Sequence, residues 1–347
     1  MERHSIRTTP APTCPVCRGP GAPLHADLVD ALFDATGRWS IRGCAAANCG
    51  TAWLDPRPVL EDLGEAYTNY YTHSNGPAAA PPLRWDDRLF RWLRTGYLAG
   101  RYRHRRSECS TVRRWLGKLL TLHPDLASRV DLEAFYLDPV PGGRFLEIGC
   151  GSGDHLAAMR DLGWQVQGVD ADPAAVQAAQ RRGLPVQCGT VQQLEAPPAS
   201  FDAIGLCHVI EHVDDPIEVL MACRKLLVPG GRLVLVTPNI ASFGHARFGR
   251  HWLALDPPRH LRLYTCASLR ATVQAAGFVE STVRTTVRAG GPQFVASRSI
   301  RRTGRWNWGD RGSAVDSVAA RLLQLRAFVG LCRRPQSGEE IVLIARS

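Results

Sequence analysis

The sequence predicts an α/β protein, a doubly wound open sheet preceded by a small cysteine-rich ribbon and a basic helical connector. Three observations predict it. Residues 144–170 run as apolar strand, glycine turn, helix and second strand ending on an acid. Residues 201–207 and 232–238 add short apolar runs of the kind buried in parallel sheets. Four cysteines fall in two close pairs near the amino terminus. A chain of 347 residues exceeds one average domain, and the expected division is a ribbon at 10–55, a connector at 56–140 and an α/β domain at 141–347.

The ribbon rests on Cys14 and Cys17 in "TCPVCRG" and on Cys44 and Cys49 in "RGCAAANCGTAW". A C-x2-C pair on a tight turn followed by a second close pair is the layout of two knuckles completing one tetrahedral thiolate zinc site. The second pair is C-x4-C, wider than usual. Such a closed set is structural, because it leaves no coordination position open for substrate. The other seven cysteines are scattered and read as small core residues.

The connector contains a loop-like break at "SNGPAAAPP" (74–82) and then residues 83–120, with eleven Arg or Lys against three acids. Trp85, Leu89, Trp92 and Leu93 recur at helical spacing beside Arg84, Arg88 and Arg91, giving a basic amphipathic helix. Three readings fit: a helix packed on the next domain with a solvated arginine face, contact with an anionic substrate or anionic membrane surface, or contact with RNA. Val318, Leu322, Leu325 and Val329 with Arg321 and Arg326 form a second such stretch. The net charge of +10 suits any anionic partner. The first residues hold no apolar core for a signal peptide and no run reaches membrane-spanning length, so a cytoplasmic protein is expected.

The strongest signal is "RFLEIGCGSGDHLAAMRDLGWQVQGVDADP" (144–173). The glycines let backbone approach a ligand, and the acid ending the second strand, Asp170, suits ribose hydroxyls, so the unit fits an adenosine-containing cofactor. The pattern is E-x-G-x-G-x-G, not the G-x-G-x-x-G of pyrophosphate binders. With "FDAIGLCHVIEHVDDPIEVL", "LLVPGGRLVLVTPN" and "AGF" following in order, the chain resembles the class I S-adenosylmethionine-dependent methyltransferases. "HWLALDPPRHLRLYT" and the upstream ribbon resemble bacterial members acting on small molecules, sugars or glycan and lipid precursors. The resemblance covers residues 144–285, fades over 286–338, where a helical insertion is expected, and returns at "EEIVLIARS".

The resemblance implies a seven-stranded Rossmann-like methyltransferase sheet. It also implies that Glu147, Gly149, Gly151 and Gly153 surround the methionine part of S-adenosylmethionine, Asp170 the ribose and Thr190 the adenine, with Cys207 and His208 flanking the methionine end. "HVIEH" (208–212) matches the H-x-x-E-H of some zinc peptidases, a pattern that needs a regular helix. Here a strand precedes it and Pro216 follows closely, so it is expected as a loop lining the methyl-transfer site. His212 is the first candidate for general base, Glu211 its orienter or an alternative base, and His208 a base or a strand cap. "DPPR" (256–259) is close to the D-P-P-Y of amino-methylating nucleic-acid enzymes but falls after the fifth strand, not the fourth. Trp252, Arg259 and His260 in that stretch are candidate substrate contacts. An RNA methyltransferase and a non-catalytic cofactor-binding module are the alternative readings.

Overall fold

The computed structural model describes residues 6–67, 85–307, 309–310 and 312–347. Arg84, the side chain of Trp85 and the break at 74–82 therefore lie outside the described residues. A two-stranded antiparallel sheet joins β1 (Thr8–Thr9) to β5 (Arg57–Pro58). Between them in sequence lie β2 (Gly21–Leu28), β3 (Trp39–Cys44) and β4 (Ala52–Leu54). These three strands form an antiparallel ribbon whose fourth strand, β11 (Arg262–Leu263), comes from far along the chain. Trp39, Ile41 and Leu54 alternate inward along it, as a half-buried sheet requires, and join Trp252, Leu263 and Phe294 in one core.

The basic segment folds as α1 (Trp85–Arg101), α2 (Thr111–Gly117) and α3 (Pro124–Glu133). Then β6 (Arg144–Ile148), α4 (Asp154–Asp161), β7 (Gln165–Asp170), α5 (Pro173–Arg181), β8 (Val186–Cys188) and β9 (Phe201–Cys207) alternate. They are followed by α6 (Pro216–Leu226) and β10 (Leu227–Pro238). After α7 (Phe243–Phe248), α8 (Cys266–Ala275) and β12 (Glu280–Thr286) come α9 (Gly290–Thr303), α10 (Ala314–Arg333) and β13 (Glu340–Arg346).

Seven strands form one sheet in the order β12-β13-β10-β9-β6-β7-β8, the seven-stranded α/β sheet that the sequence implies. β6 pairs in parallel with both β7 and β9, so the chain leaves β6 toward one edge and returns on its other flank at β9. Such a reversal is where open α/β sheets bind ligands, at the carboxyl ends of the strands. Gly205 in β9 is small for a packing reason: a Cβ there would sit 2.4 Å from the Phe135 ring.

The chain forms two compact units. One gathers the amino-terminal strands with His208–Met221 and Leu235–Ile344; the other gathers the described residues from Trp85 up to Cys207, with Ala222–Val234 and Ala345–Ser347.

Candidate active site

In the second unit the glycine turn joins β6 to α4. Gly149, Gly151 and Gly153 all have positive φ, at 66°, 53° and 82°, the left-handed region that side chains disfavour. At Gly151 a Cβ would meet nothing within 4 Å, so the turn is open on the side a ligand would approach. The Gly151 N–H donates to Asp170 Oδ2 at 2.7 Å, and the Asp172 N–H to Oδ1 at 2.9 Å. The acid at the end of β7 thus braces the turn before any ligand arrives. Burial raises its pKa, and those two N–H donors oppose the rise.

Glu147 is fully buried at the end of β6. Its Oε1 accepts from His155 Nδ1 at 3.2 Å, while Oε2 has no hydrogen-bond partner among the described residues. Burial drives its pKa upward against the pull of His155. A buried carboxyl oxygen without a partner is costly, and an ammonium group such as that of a bound methionyl moiety would satisfy it. The residues present therefore fit S-adenosylmethionine. Thr190 is exposed and caps a short 3-10 turn with Gln193. Cys207, half-buried, ends β9.

In the first unit residues 208–212 form a turn, not a helix, so the two histidines do not share a helical face. His208 adopts φ 55°, uncommon for a residue with a side chain, and its position is over-determined. Its N–H donates to the Val236 carbonyl at 2.8 Å. Its Nδ1 lies 3.2 Å from Glu211 Oε1 and its Nε2 2.9 Å from Glu340 Oε1. Burial opposes the charge on this ring, but the hydrogen bonds to Glu211 and Glu340 outweigh it and push its pKa up to about 9. Arg288 pairs with the same Glu340. Burial likewise works against Glu211, yet His208 holds that carboxylate down to about 2. Its Oε2 also accepts from Thr237 Oγ1 at 2.9 Å.

His212 is set differently. Its Nδ1 lies 3.1 Å from the Arg259 carbonyl oxygen and 3.0 Å from Tyr67 Oη. A carbonyl only accepts, so Nδ1 carries the proton and Nε2 the lone pair. Burial, reinforced by the neighbouring His260, pushes the pKa down to about 4. His260 stacks edge-on at 4.6 Å between ring centroids, with its own Nδ1 on the Ala254 carbonyl at 2.8 Å. Glu211, His212 and His260 each place one ligand-type atom within 4.8 Å of the others. The structure thus brings together a carboxylate and two imidazoles, with His260 in the place that the peptidase pattern would give to His208.

Two expected substrate contacts are corrected. Arg259 is completely enclosed. Its guanidinium spans Asp30 at 2.7 and 2.8 Å, bonds Asp256, and donates to the Ala66 carbonyl at 3.0 Å. Every donor is taken, because a buried cation is tolerable only when paired throughout. Its part is to fix the loop whose carbonyl holds His212. Trp252 is 2% exposed and belongs to the hydrophobic core, where its area is worth more than at a polar surface. Tyr67, Thr237, Arg288 and Glu340 escaped the sequence reading. Only the adjacent pair Glu339-Glu340 at the start of a buried strand could have signalled one of them.

In the ribbon the four thiols of Cys14, Cys17, Cys44 and Cys49 lie within 4.8 Å of one another. Cys14 and Cys49 are 3.7 Å apart and Cys17 and Cys44 3.4 Å. Tetrahedral zinc with ~2.3 Å Zn–S bonds spaces its sulfurs about 3.8 Å apart, so the cluster is consistent with a zinc ribbon. The wider C-x4-C spacing is accommodated by a turn in which the Ala46 N–H donates to Cys44 Sγ at 3.4 Å.

Residues 112–281 match a family described as "Methyltransferase domain". The chain is 37% identical over 134 residues to a ubiquinone biosynthesis O-methyltransferase of Xanthomonas campestris pv. campestris (strain B100), covering 36% of this chain and 56% of the relative. It is 36% identical over 152 residues to the protein of the same description from Xanthomonas oryzae pv. oryzae (strain PXO99A), covering 41% and 63%. The chain thus spans rather more than half the length of these relatives. A solved SAM-dependent methyltransferase from Archaeoglobus fulgidus superposes with a TM-score of 0.43 at 19% identity, covering 63% of this chain and 94% of that one. Residues 112–281 are thus similar to a methyltransferase domain.

Proposed function

We propose that the chain methylates a hydroxyl of a small-molecule acceptor, with His212 as general base. The observation that carries the reading is the fixed state of His212: neutral, with Nδ1–H committed to the Arg259 carbonyl and the lone pair on Nε2. Bound S-adenosylmethionine supplies a sulfonium methyl. The chain's own residues do the rest. Glu147 and the glycine turn hold the methionyl end and Asp170 the ribose. Oxygen methylation requires the acceptor to lose a proton, and Nε2 of His212 would be the group that takes it. A base with a lowered pKa is weaker than free imidazole, but it remains unprotonated throughout the neutral range. His208, placed between Glu211 and Glu340 with Arg288 also against its Nε2, serves as a structural group that holds the Glu211 carboxylate beside His212.

The relatives named for ubiquinone biosynthesis favour a phenolic acceptor over a sugar or glycan precursor. The four thiols hold one structural zinc that takes no part in this chemistry, because their coordination sphere is closed. A single preparation tests the set. Calorimetry should show S-adenosylmethionine binding that Asp170→Ala weakens by about 1 to 3 kcal/mol, and elemental analysis about one zinc per chain. Labelled methyl groups should appear as ethers on members of a panel of phenols and catechols. Absence of cofactor binding would end the methyltransferase reading, and label on nitrogen or carbon would end the hydroxyl assignment.

A further inference from the structure

The helices α1 and α2 carry a surface that the chemistry above does not use. They cross in backbone contact: a Cβ on Gly96 would fall 2.1 Å from the Arg113 carbonyl oxygen, and one on Gly117 2.2 Å from the Tyr97 nitrogen. The inner side is sealed by Tyr97, whose hydroxyl donates to Asp131 at 2.8 Å, and by Leu98 and Leu120. The outer side is not sealed. Leu122 is 80% exposed, Val112 66% and Trp115 64%, and Leu89, Trp92 and Leu119 are exposed as well. Single exposed apolar residues are ordinary, but six large ones spread over α1, α2 and the 3-10 turn Lys118–Leu122 that follows it are not.

The same segment concentrates the chain's charge. Residues 88–118 hold ten arginines or lysines against one acid, Glu108, which is itself paired with Arg105 at 2.6 Å. Arg88, Arg91 and Lys118 are exposed. Arg113 donates to the Trp92 carbonyl at 2.9 Å with its guanidinium 5.4 Å from the Trp92 ring centroid, so cation and aromatic are held together.

We propose that this helix pair docks on an anionic lipid bilayer, its aliphatic side chains in the acyl boundary, Trp92 and Trp115 at headgroup level, and the arginines on lipid phosphates. Tryptophan and arginine are the side chains that suit that boundary, and in-plane basic amphipathic helices bind it through apolar area and charge together. Single-stranded RNA would also answer the charge and could stack on the tryptophans, but it offers nothing to Leu89, Val112, Leu119 and Leu122. A second copy of the chain would bring the same excess of positive charge against itself. Among the described residues no helix is long and apolar enough to cross the membrane, so the contact is peripheral.

Flotation of the full chain with vesicles tests this, using phosphatidylcholine alone and phosphatidylcholine with about a third phosphatidylglycerol. Binding should favour the anionic vesicles at least about tenfold and fall as NaCl rises from about 0.05 to 0.5 M. Trp115→Glu with Leu119→Glu should weaken it about tenfold or more, and so should Arg88→Glu with Arg91→Glu. All four side chains are exposed, so the melting temperature and S-adenosylmethionine affinity should not change. Equal flotation by the variants, or no preference for anionic lipid, would overturn the proposal. So would RNA binding lost in the arginine variant without vesicle binding in the wild type, or a dimer that Trp115→Glu with Leu119→Glu splits.

Discussion

The two ends of the turn 208–212 carry the same side chain and are driven to opposite charge states. His208 sits between two buried carboxylates and titrates near 9; His212 faces a carbonyl and a second imidazole and titrates near 4. Both are partly buried, and desolvation favours the neutral ring at each. What differs is the partner. Two carboxylates reverse the desolvation penalty at His208, while at His212 a backbone carbonyl fixes a tautomer and His260 adds to the penalty. The comparison teaches that a histidine motif has no intrinsic protonation state, and that one loop can hold a fixed cation and a free base four residues apart.

The largest expected effect separates these roles by kinetics. His212→Ala should lower turnover by about 10²- to 10⁴-fold with cofactor affinity intact, whereas His208→Gln should lose far less turnover. The wild-type rate should rise through a pKa of about 4, well below that of free imidazole, and the limb should vanish in His212→Ala. A limb that stays in the mutant would move the base elsewhere. Next in size is Arg259→Ala, which strands Asp30 and Asp256 in the interior and should destabilise the fold by about 3 to 5 kcal/mol in chemical denaturation. Arg259→Lys should recover only part, because an ammonium cannot span both carboxylates as the planar fork does. Stability unchanged in the alanine variant would show that the loop holding His212 is braced by something else.

The smallest effect gives the comparison its sharpest form, as two stability slopes of opposite sign. The His208 pKa is raised from 6.5 to about 9, so its contribution is fully present below 6.5 and is lost as pH climbs through 9. Its side chain is 35% exposed, and solvent screening brings the contribution to about 1 to 2 kcal/mol. The His212 pKa is lowered from 6.5 to about 4. Below 6.5 the unfolded chain therefore takes up a proton that the folded chain refuses, and stability declines as pH falls from 6.5 toward 4. Denaturation curves between pH 4 and 9 should lose the alkaline slope in His208→Gln and the acid slope in His212→Gln. Both variants losing the same slope would mean that the two rings titrate as one coupled group.

Sequence alone determined what depends on local geometry. The strand, glycine turn, helix and Asp170 lie within a few dozen residues, and a positive φ at Gly149, Gly151 and Gly153 is a requirement written in residue type. The cysteine pairs are equally local, since a knuckle turn needs only its own few residues. The apolar strand before it and Pro216 after it were together enough to argue "HVIEH" out of a regular helix. Tertiary structure alone decided what each side chain in the loop meets. Glu340 reaches His208 from 132 positions away and Asp30 reaches Arg259 from 229, and no periodicity or spacing encodes such pairs. Burial then turns those partners into charge states, because desolvation and a close carboxylate each shift a histidine by more than its ordinary distance from neutrality. For the same reason the exposed-looking arginine of "DPPR" proved to be an internal strut, while α1 and α2 left at the surface the aromatic and aliphatic residues that a sequence pattern would assign to a core.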